Sequence, residues 1–426
     1  QTAWKNTPFA ERCVLVTRAV DALVAKKDAI AEELTRQMGR PIRYTPGEIG
    51  GFEARARHML AIAEASLADV VPTPVDGFTR FIRRDPVGVV LVVAPWNYPL
   101  LTAVNAIVPA LLAGNVVLLK HSAQTPLVAE RFAEAFRTAG LPAGVFQHLH
   151  TTHEDTQRMI RAAEVNFVCF TGSVAGGVAV EQAAVGRFIG VGLELGGNDP
   201  AYVRADADLA HAVETLVDGA FFNSGQSCCG IQRIYVQRPL YKKFIEQAVA
   251  LTQQYVLGNP LDPLTTLGPV VRSKAAAEIR AIVADAVAKG ARGLIDPRSF
   301  AADAPTTQYM APQILVDVNH GMQIMADECF GPVCGVMPLA DDEEAILLMN
   351  DSPYGLRAAV FTRDTAAALA MGERIETGTW FMNRCDYLDP AQAWTGVKNT
   401  GRGATLSSLG YEHLTRPKSF HLKTRL

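Results

Sequence analysis

The sequence predicts an α/β protein, with one parallel sheet flanked by helices, a second α/β region after it and a small β element outside both. Three observations carry that prediction. Across residues 86–203, short β-branched runs alternate with amphipathic stretches of helical length, the pattern that strand–helix–strand units impose on a parallel sheet. After Gly197 the alternation resumes with new spacing. Two further alternating segments, Phe78-Thr79-Arg80-Phe81-Ile82-Arg83-Arg84 and Phe420-His421-Leu422-Lys423, fit neither region and read as strands outside both cores.

In chain order, a long helix is expected over 9–38. First-sheet strands are expected at 87–93, 116–119, 145–149, 167–170 and 188–193, with an apolar helix over 100–113 between the first two. The second region should hold a strand at 233–236, a helix from about Pro239, and strands near 313–316, 333–337, 358–361 and 379–381. This order places Asn97, Lys120, Gly172 and Glu194 at the carboxyl edge of the first sheet, where open α/β sheets bind ligands.

Composition narrows the function. With 426 residues, 49% of them hydrophobic, the chain can bury a large core and should form two or more domains. A net charge of -3 gives no reason to expect nucleic acid or an anionic membrane as partner. Seven cysteines, an odd number without C-x-x-C spacing, suggest neither a disulfide framework nor a metal site, so a reducing cytoplasm is expected. No run approaches the roughly 18 apolar residues of a membrane span, and the first residues lack a secretory signal.

The segment richest in chemistry is Phe221-Phe222-Asn223-Ser224-Gly225-Gln226-Ser227-Cys228-Cys229-Gly230. A thiol pair straight after a flexible turn has the access and the donors a nucleophile needs, although an inert cysteine needs only apolar neighbours. In Ala94-Pro95-Trp96-Asn97-Tyr98-Pro99, an asparagine between prolines can aim its amide at a developing oxyanion; a plain turn asparagine would look the same in isolation. Leu193-Glu194-Leu195-Gly196-Gly197-Asn198 puts a carboxylate at a strand end beside two glycines, where partial burial raises its pKa toward that of a general base. Glu328-Cys329-Phe330-Gly331-Pro332-Val333 repeats the carboxylate on a Gly-Pro turn. No G-x-G-x-x-G occurs. In its place, Gly172-Ser173-Val174-Ala175-Gly176-Gly177 opens a helix, where glycine admits either a phosphate or a close helix–strand crossing.

These segments, in this order, resemble the aldehyde dehydrogenase superfamily, in its hydrolytic, non-acylating form. Phe170-Thr171-Gly172-Ser173 and the tail Trp394-Thr395-Gly396-Val397-Lys398-Asn399-Thr400-Gly401-Arg402-Gly403 extend the likeness from about Trp4 to the C-terminus. The resemblance implies a Rossmann-like cofactor domain at 1–67 and 87–196, a catalytic domain at 197–399, and oligomerisation strands and tail at 68–86 and 400–426. A homodimer or homotetramer is expected, and so is a segment before Gln1, because the first helix follows such a segment in the family. By the same resemblance, Cys228 is the nucleophile, with Cys229 as the alternative. Asn97 then holds the oxyanion and Glu194 activates water. Lys120, Gly172, Ser173, Gly177, Trp96, Glu328 and Phe330 would hold NAD. NADP stays open, since Ala123 stands where relatives often carry an acidic residue, and Lys120 with His121 would tolerate a 2′-phosphate.

Tyr98, Leu101, Phe222, Leu388 and Trp394 would line the aldehyde tunnel by position in the family. Their apolar character favours an aliphatic or aromatic aldehyde, because a second, buried carboxylate needs a paired cation. Arg384 near the tunnel mouth is the one residue read as reversing this, with Asp386 close enough to neutralise it; a semialdehyde is the alternative. Three rivals are weaker. Glu194 speaks against a CoA-acylating enzyme, and the lack of a histidine motif against a cysteine acyltransferase. A non-catalytic relative should have lost one of Cys228, Glu194, Asn97, Lys120 and Glu328.

Overall fold

The computed structural model describes residues 1–385 and 387–425. Its β-branched runs pair as their alternation requires. Val89–Val93 sits centrally in a six-stranded sheet, with Val116–Lys120 and Phe146–His148 on one side and Phe167–Thr171 and Gly190–Glu194 on the other, all parallel. The helix Pro99–Leu112 is apolar almost all round and correspondingly buried, and Thr45–Leu67 packs against it. Strand register sets the working edge: Val93 lies opposite Lys120 and Thr171 opposite Glu194. The turns that follow carry Asn97, Gly172 and Gly196 out of the same edge.

The second sheet has seven strands in the spatial order Thr379–Met382, Arg357–Phe361, Asp199–Val203, Ile231–Gln237, Val333–Leu339, Gln313–Val316 and Arg292–Gly293. All pairs are parallel except the last. Asp199–Val203 escaped the sequence reading because Pro200 interrupts its apolar run, and the pairing with Ile231–Gln237 shifts register at that point. Gly401–Arg402 was missed as well. It adds an antiparallel edge to the first sheet beside Glu194, where its two residues carry no β signature.

Two expected bounds change. The helix expected over 9–38 is two helices, Phe9–Val24 and Lys27–Met38, broken at Ala25 and Lys26 without a glycine or proline to announce it. Lys26 there pairs with Glu134 on the helix Leu127–Thr138. The strand expected from Phe188 begins at Gly190, and Phe188 is fully exposed.

The two outlying segments pair with each other. Phe78–Pro86 runs antiparallel to Thr415–Lys423, with Phe81 stacked on Phe420 at 4.5 Å. Among the described residues, no helix is long and apolar enough to cross a membrane.

One buried ion pair lies within the second sheet. Arg357 Nε donates to Asp199 Oδ2 at 2.9 Å, with both side chains almost wholly buried. Replacing Arg357 by leucine strands the carboxylate, so unfolding in urea should show a loss of about 3–5 kcal/mol. The double variant Arg357→Leu, Asp199→Leu should recover part of it. An unchanged midpoint in the single variant would show that the pair carries no such weight.

Candidate active site

The cysteine loop is built on unfavourable backbone. Asn223, Ser224 and Gly225 all have positive φ, at 55°, 57° and 68°. Asparagine and glycine tolerate this region, whereas serine there is strained by about 1–3 kcal/mol. Gly225 is required, because a Cβ would collide with the Gly331 carbonyl. The strain is held by hydrogen bonds on every side. Ser224 Oγ donates to Gly268 O at 2.8 Å, Gln226 Nε2 to Asn223 O at 3.0 Å, and Val271 N to Gln226 Oε1 at 2.8 Å.

The same loop is tied to the Asn97 turn. Asn97 Nδ2 donates to Gln226 O at 3.2 Å, and Asn223 Nδ2 donates to both Gln226 O, at 3.1 Å, and Asn97 O, at 3.3 Å. Beneath them the buried Arg40 donates from Nε to Asn223 Oδ1 at 3.1 Å, from Nη2 to Asn97 O, and from Nη1 to Glu48 Oε2. Glu48 Oε1 in turn accepts the Leu100 N–H at 2.9 Å. Asn97 thus keeps one amide proton uncommitted, and the Cys228 N–H has no acceptor among the described residues.

The two thiols hydrogen-bond to one another, so the pair gives up its first proton more easily than a lone buried thiol. The lowering falls on Cys229, to about 5, through the Cys228 S–H, with Arg357 and the Ser227 hydroxyl 3.2 Å away contributing. Cys228 is pushed up by its bond to Cys229 and by burial.

Glu194 ends its strand between two hydroxyls. Thr405 Oγ1 donates to Oε1 at 2.6 Å and Thr171 Oγ1 to Oε2 at 3.2 Å. Burial raises its pKa against these donors, and Arg55 pulls the other way. A narrow cavity of ≈ 40 Å³ adjoins it, lined also by Thr102, Asn105, Cys169, Thr171 and Thr405. Glu328 accepts the Gly197 N–H at 3.0 Å and is raised by burial to about 7. Its carboxylate occupies the space a Cβ on Gly196 would need.

Along the sheet edge Lys120 is buried, its pKa lowered by burial, with no partner for its ammonium among the described residues. Ala123 is exposed and brings no carboxylate there. His121 does not stand with Lys120 as expected. Its ring is turned into the core, bonded to Pro99 O at 3.2 Å and Thr125 Oγ1 at 3.3 Å, and burial lowers it to about 4, so it stays neutral. Ser173 Oγ caps the helix Val174–Ala184 by accepting the Gly176 N–H at 3.2 Å, while the Val174 and Ala175 N–H groups have no acceptor among the described residues. Gly172 and Gly177 have packing reasons as well: a Cβ would meet Phe170 at the first and Leu195 at the second, each at 2.7 Å. Trp96 and Phe330 meet edge to face at 5.8 Å. An unpaired cation, an open helix start and a carboxylate on the Gly196-Gly197 turn fit a dinucleotide.

A model of the aldehyde dehydrogenase family matches residues 1–420. The chain belongs to that family. This aldehyde dehydrogenase is an NAD(P)-dependent oxidoreductase. It is 34% identical over 420 residues to an aldehyde dehydrogenase of Paenarthrobacter nicotinovorans, covering 97% of this chain and 91% of the relative. It is also 34% identical over 411 residues to the NAD(P)+ succinate semialdehyde dehydrogenase of Escherichia coli K12, covering 96% and 87%. The solved succinic semialdehyde dehydrogenase of Streptococcus pyogenes, in complex with NADP+, superposes with a TM-score of 0.94 at 29% identity, covering 99% of this chain and 92% of that one.

Of the expected tunnel residues, Tyr98 lies under Arg40 at 4.6 Å and Phe222 meets Tyr44 edge to face at 5.3 Å. Leu388 packs on the core cluster that contains the buried Trp394 and abuts Cys228 and Cys229, and Leu101 packs over Gly51. Arg384 lines a separate outer cleft of ≈ 720 Å³ with Tyr44, Glu214 and Asp218. Asp386, expected to neutralise it, lies outside the described residues. Among the described residues, Glu130, His148 and His150 bring donor atoms within 4.8 Å of one another, as a metal would need, but this group contains neither Cys228 nor Glu194.

Sequence reasoning missed Arg40, Glu48 and Arg55. Glu48 and Arg55 share the inward face of the helix Thr45–Leu67 with Ile49, Phe52, Ala56 and Met59. Charged residues at helical spacing on an apolar stripe were the available signal. The thiol pair yields a test. In Cys229→Ala the bond and the negative charge that push Cys228 up are removed, so the pH of half-maximal Cys228 alkylation by iodoacetamide should fall. An unchanged or higher value would mean that Cys229 does not raise Cys228.

Proposed function

We propose that the enzyme oxidises its aldehyde to the carboxylic acid through a covalent thioester on Cys228, hydrolysed by water that Glu194 activates. The observation that supports this is the joining of the Cys228 loop to the Asn97 turn through Gln226 O, which leaves one Asn97 amide proton and the Cys228 N–H uncommitted.

The Cys228 sulfur bonds to the carbonyl carbon as its proton passes to the Cys229 thiolate, which returns it when the C–S bond breaks. Asn97 Nδ2 and the Cys228 N–H receive the oxyanion of the thiohemiacetal. Bound NAD(P) supplies the acceptor for the hydride that leaves this carbon. Lys120 and Glu328 would hold the two riboses, Gly172, Ser173 and Gly177 would receive the pyrophosphate, and Trp96 with Phe330 would pack against the cofactor. Collapse of the oxyanion leaves the thioester. Glu194 then takes a proton from water, the hydroxide adds to the acyl carbon, and the C–S bond breaks to return the thiolate. Both Glu194 oxygens keep a lone pair after the threonine bonds, so water can be held there.

The unpaired Lys120 and the missing carboxylate at Ala123 support use of NADP beside NAD, and the NADP+ and NAD(P)+ relatives agree. The apolar tunnel supports an aliphatic or aromatic aldehyde; a semialdehyde is the second reading, favoured by Arg55. We assign 1–67 and 87–196 to cofactor binding, 197–399 to catalysis, and the ribbon within 68–86 and 400–426 to subunit pairing in a homodimer or homotetramer. An isolated two-stranded ribbon is marginal alone, which gives it a motive to pair.

Reduced cofactor formed by the wild type on mixing with an aldehyde should be absent in Cys228→Ala. Glu194→Gln should give a single burst of about one equivalent and then stall. Because Glu194 acts as the carboxylate and its pKa is raised, wild-type turnover should increase with pH through a value above the ordinary glutamate range. Steady turnover in Glu194→Gln would remove it from the hydrolytic step.

A further inference from the structure

Arg55 is a buried cation that none of the steps above uses. It sits one helical turn beyond Gly51, whose missing side chain makes room for Leu101: a Cβ there would lie 2.7 Å from Leu101 Cδ2. Arg55 Nη1 donates to Leu101 O at 2.7 Å and reaches Asn105 Oδ1 at 3.4 Å. Both partners are on the helix Pro99–Leu112 that begins at the Asn97 turn, and Asn105 shares the narrow cavity with Glu194. The guanidinium is thus bonded to the helix that carries Leu101 and to a residue of the cavity beside Glu194.

Its bonding is incomplete. Nε and Nη2 have no partner among the described residues, yet neither is sealed from solvent. No carboxylate lies within ion-pair distance of it among the described residues; Glu48 is bound to Arg40. The negative groups that face it from further away are Glu194, Cys229, Glu48 and Cys228. A guanidinium in this position is costly to leave unpaired, and its two open donors form the fork that takes a carboxylate in bidentate fashion. Arg384 is less suited, since it shares its outer cleft with Glu214 and Asp218.

We propose that Arg55 is the specificity-determining residue of the tunnel, binding a carboxylate carried by the aldehyde substrate while Cys228 takes the carbonyl. This rests on the aldehyde-oxidation reading above, and it selects a short aldehyde acid over a neutral aldehyde. The expected lining was apolar because the sequence shows Arg55 only as one of several charges on a long helix; the fold turns it inward.

The test compares 4-oxobutanoate with butanal as substrates of the full chain, in the wild type, Arg55→Met and Arg55→Lys. The wild type should have the higher kcat/KM for 4-oxobutanoate. Arg55→Met should raise KM for 4-oxobutanoate by roughly 10- to 150-fold, the worth of hydrogen bonds to a charged group, with a much smaller effect on kcat. Butanal, having no carboxylate to lose, should respond far less, and Arg55→Lys should restore part of the KM. A wild type that prefers butanal, or equal losses with both aldehydes in Arg55→Met, overturns the proposal and leaves Arg55 as a positioning residue for Cys228 or Glu194. If Arg55→Met does not fold, the wild-type preference still decides. Failure of the wild type to oxidise either aldehyde, or any other, would instead defeat the aldehyde-oxidation reading itself.

Discussion

Arg40 is where the two halves of the site are held together. Its guanidinium lies buried between Glu48, the Asn97 carbonyl and the Asn223 amide, and it stacks over Tyr98 at 4.6 Å. The cysteine loop needs such an anchor because Asn223, Ser224 and Gly225 are all left-handed, a run that a free chain would abandon. A buried ion pair is weak as a source of stability, yet breaking one strands a charge, so the favoured arrangement is the one in which each of the three guanidinium nitrogens finds an acceptor. The result is positional. Leu100 is fixed through Glu48, Asn97 through Arg40, and Gln226 through Asn223 and Asn97, so the Asn97 turn and the cysteine loop belong to one hydrogen-bonded unit although they are distant in sequence.

The charges around this unit are arranged by the two sheets. The first delivers Lys120 and Glu194 to one edge through its parallel register, and the second brings Arg357 toward Cys229 through the buried pair with Asp199. Burial alone raises both carboxylates, Glu194 and Glu328, but their hydrogen bonds differ. Glu194 is flanked by two threonine hydroxyls, which orient it without neutralising it, whereas Glu328 takes a backbone N–H on the Gly196-Gly197 turn. The two acids thus differ in what holds them.

Much of this was legible in the sequence because strand ends in a parallel sheet are predictable points. Asn97, Lys120, Gly172 and Glu194 follow β-branched runs whose period and length identify them, and Cys228 announces itself by the turn before it. The parts that were not legible share a physical cause. Glu48 and Arg55 act through the tertiary crossing of the helix Thr45–Leu67 over Pro99–Leu112, and a charged residue on a helix looks solvated until the face is known, while Arg40 lies in the turn after Lys27–Met38 and is buried by tertiary contacts alone. His121 was misjudged for the converse reason: adjacency to Lys120 says nothing about direction, since neighbours leaving a strand point opposite ways. The helix break at Ala25 and the strand through Pro200 were hidden because local propensity gives no sign of the contacts that override it.

The central claim is that this architecture makes Cys228, and not its neighbour, the covalent centre. The most direct measurement is peptide mapping by mass spectrometry of Glu194→Gln, quenched in acid after mixing with an aldehyde substrate and NAD(P). The account predicts an acyl mass retained on the Cys228 sulfur, absent without the cofactor. An acyl group on Cys229, or an unmodified thiol pair in protein that has produced reduced cofactor, would contradict it.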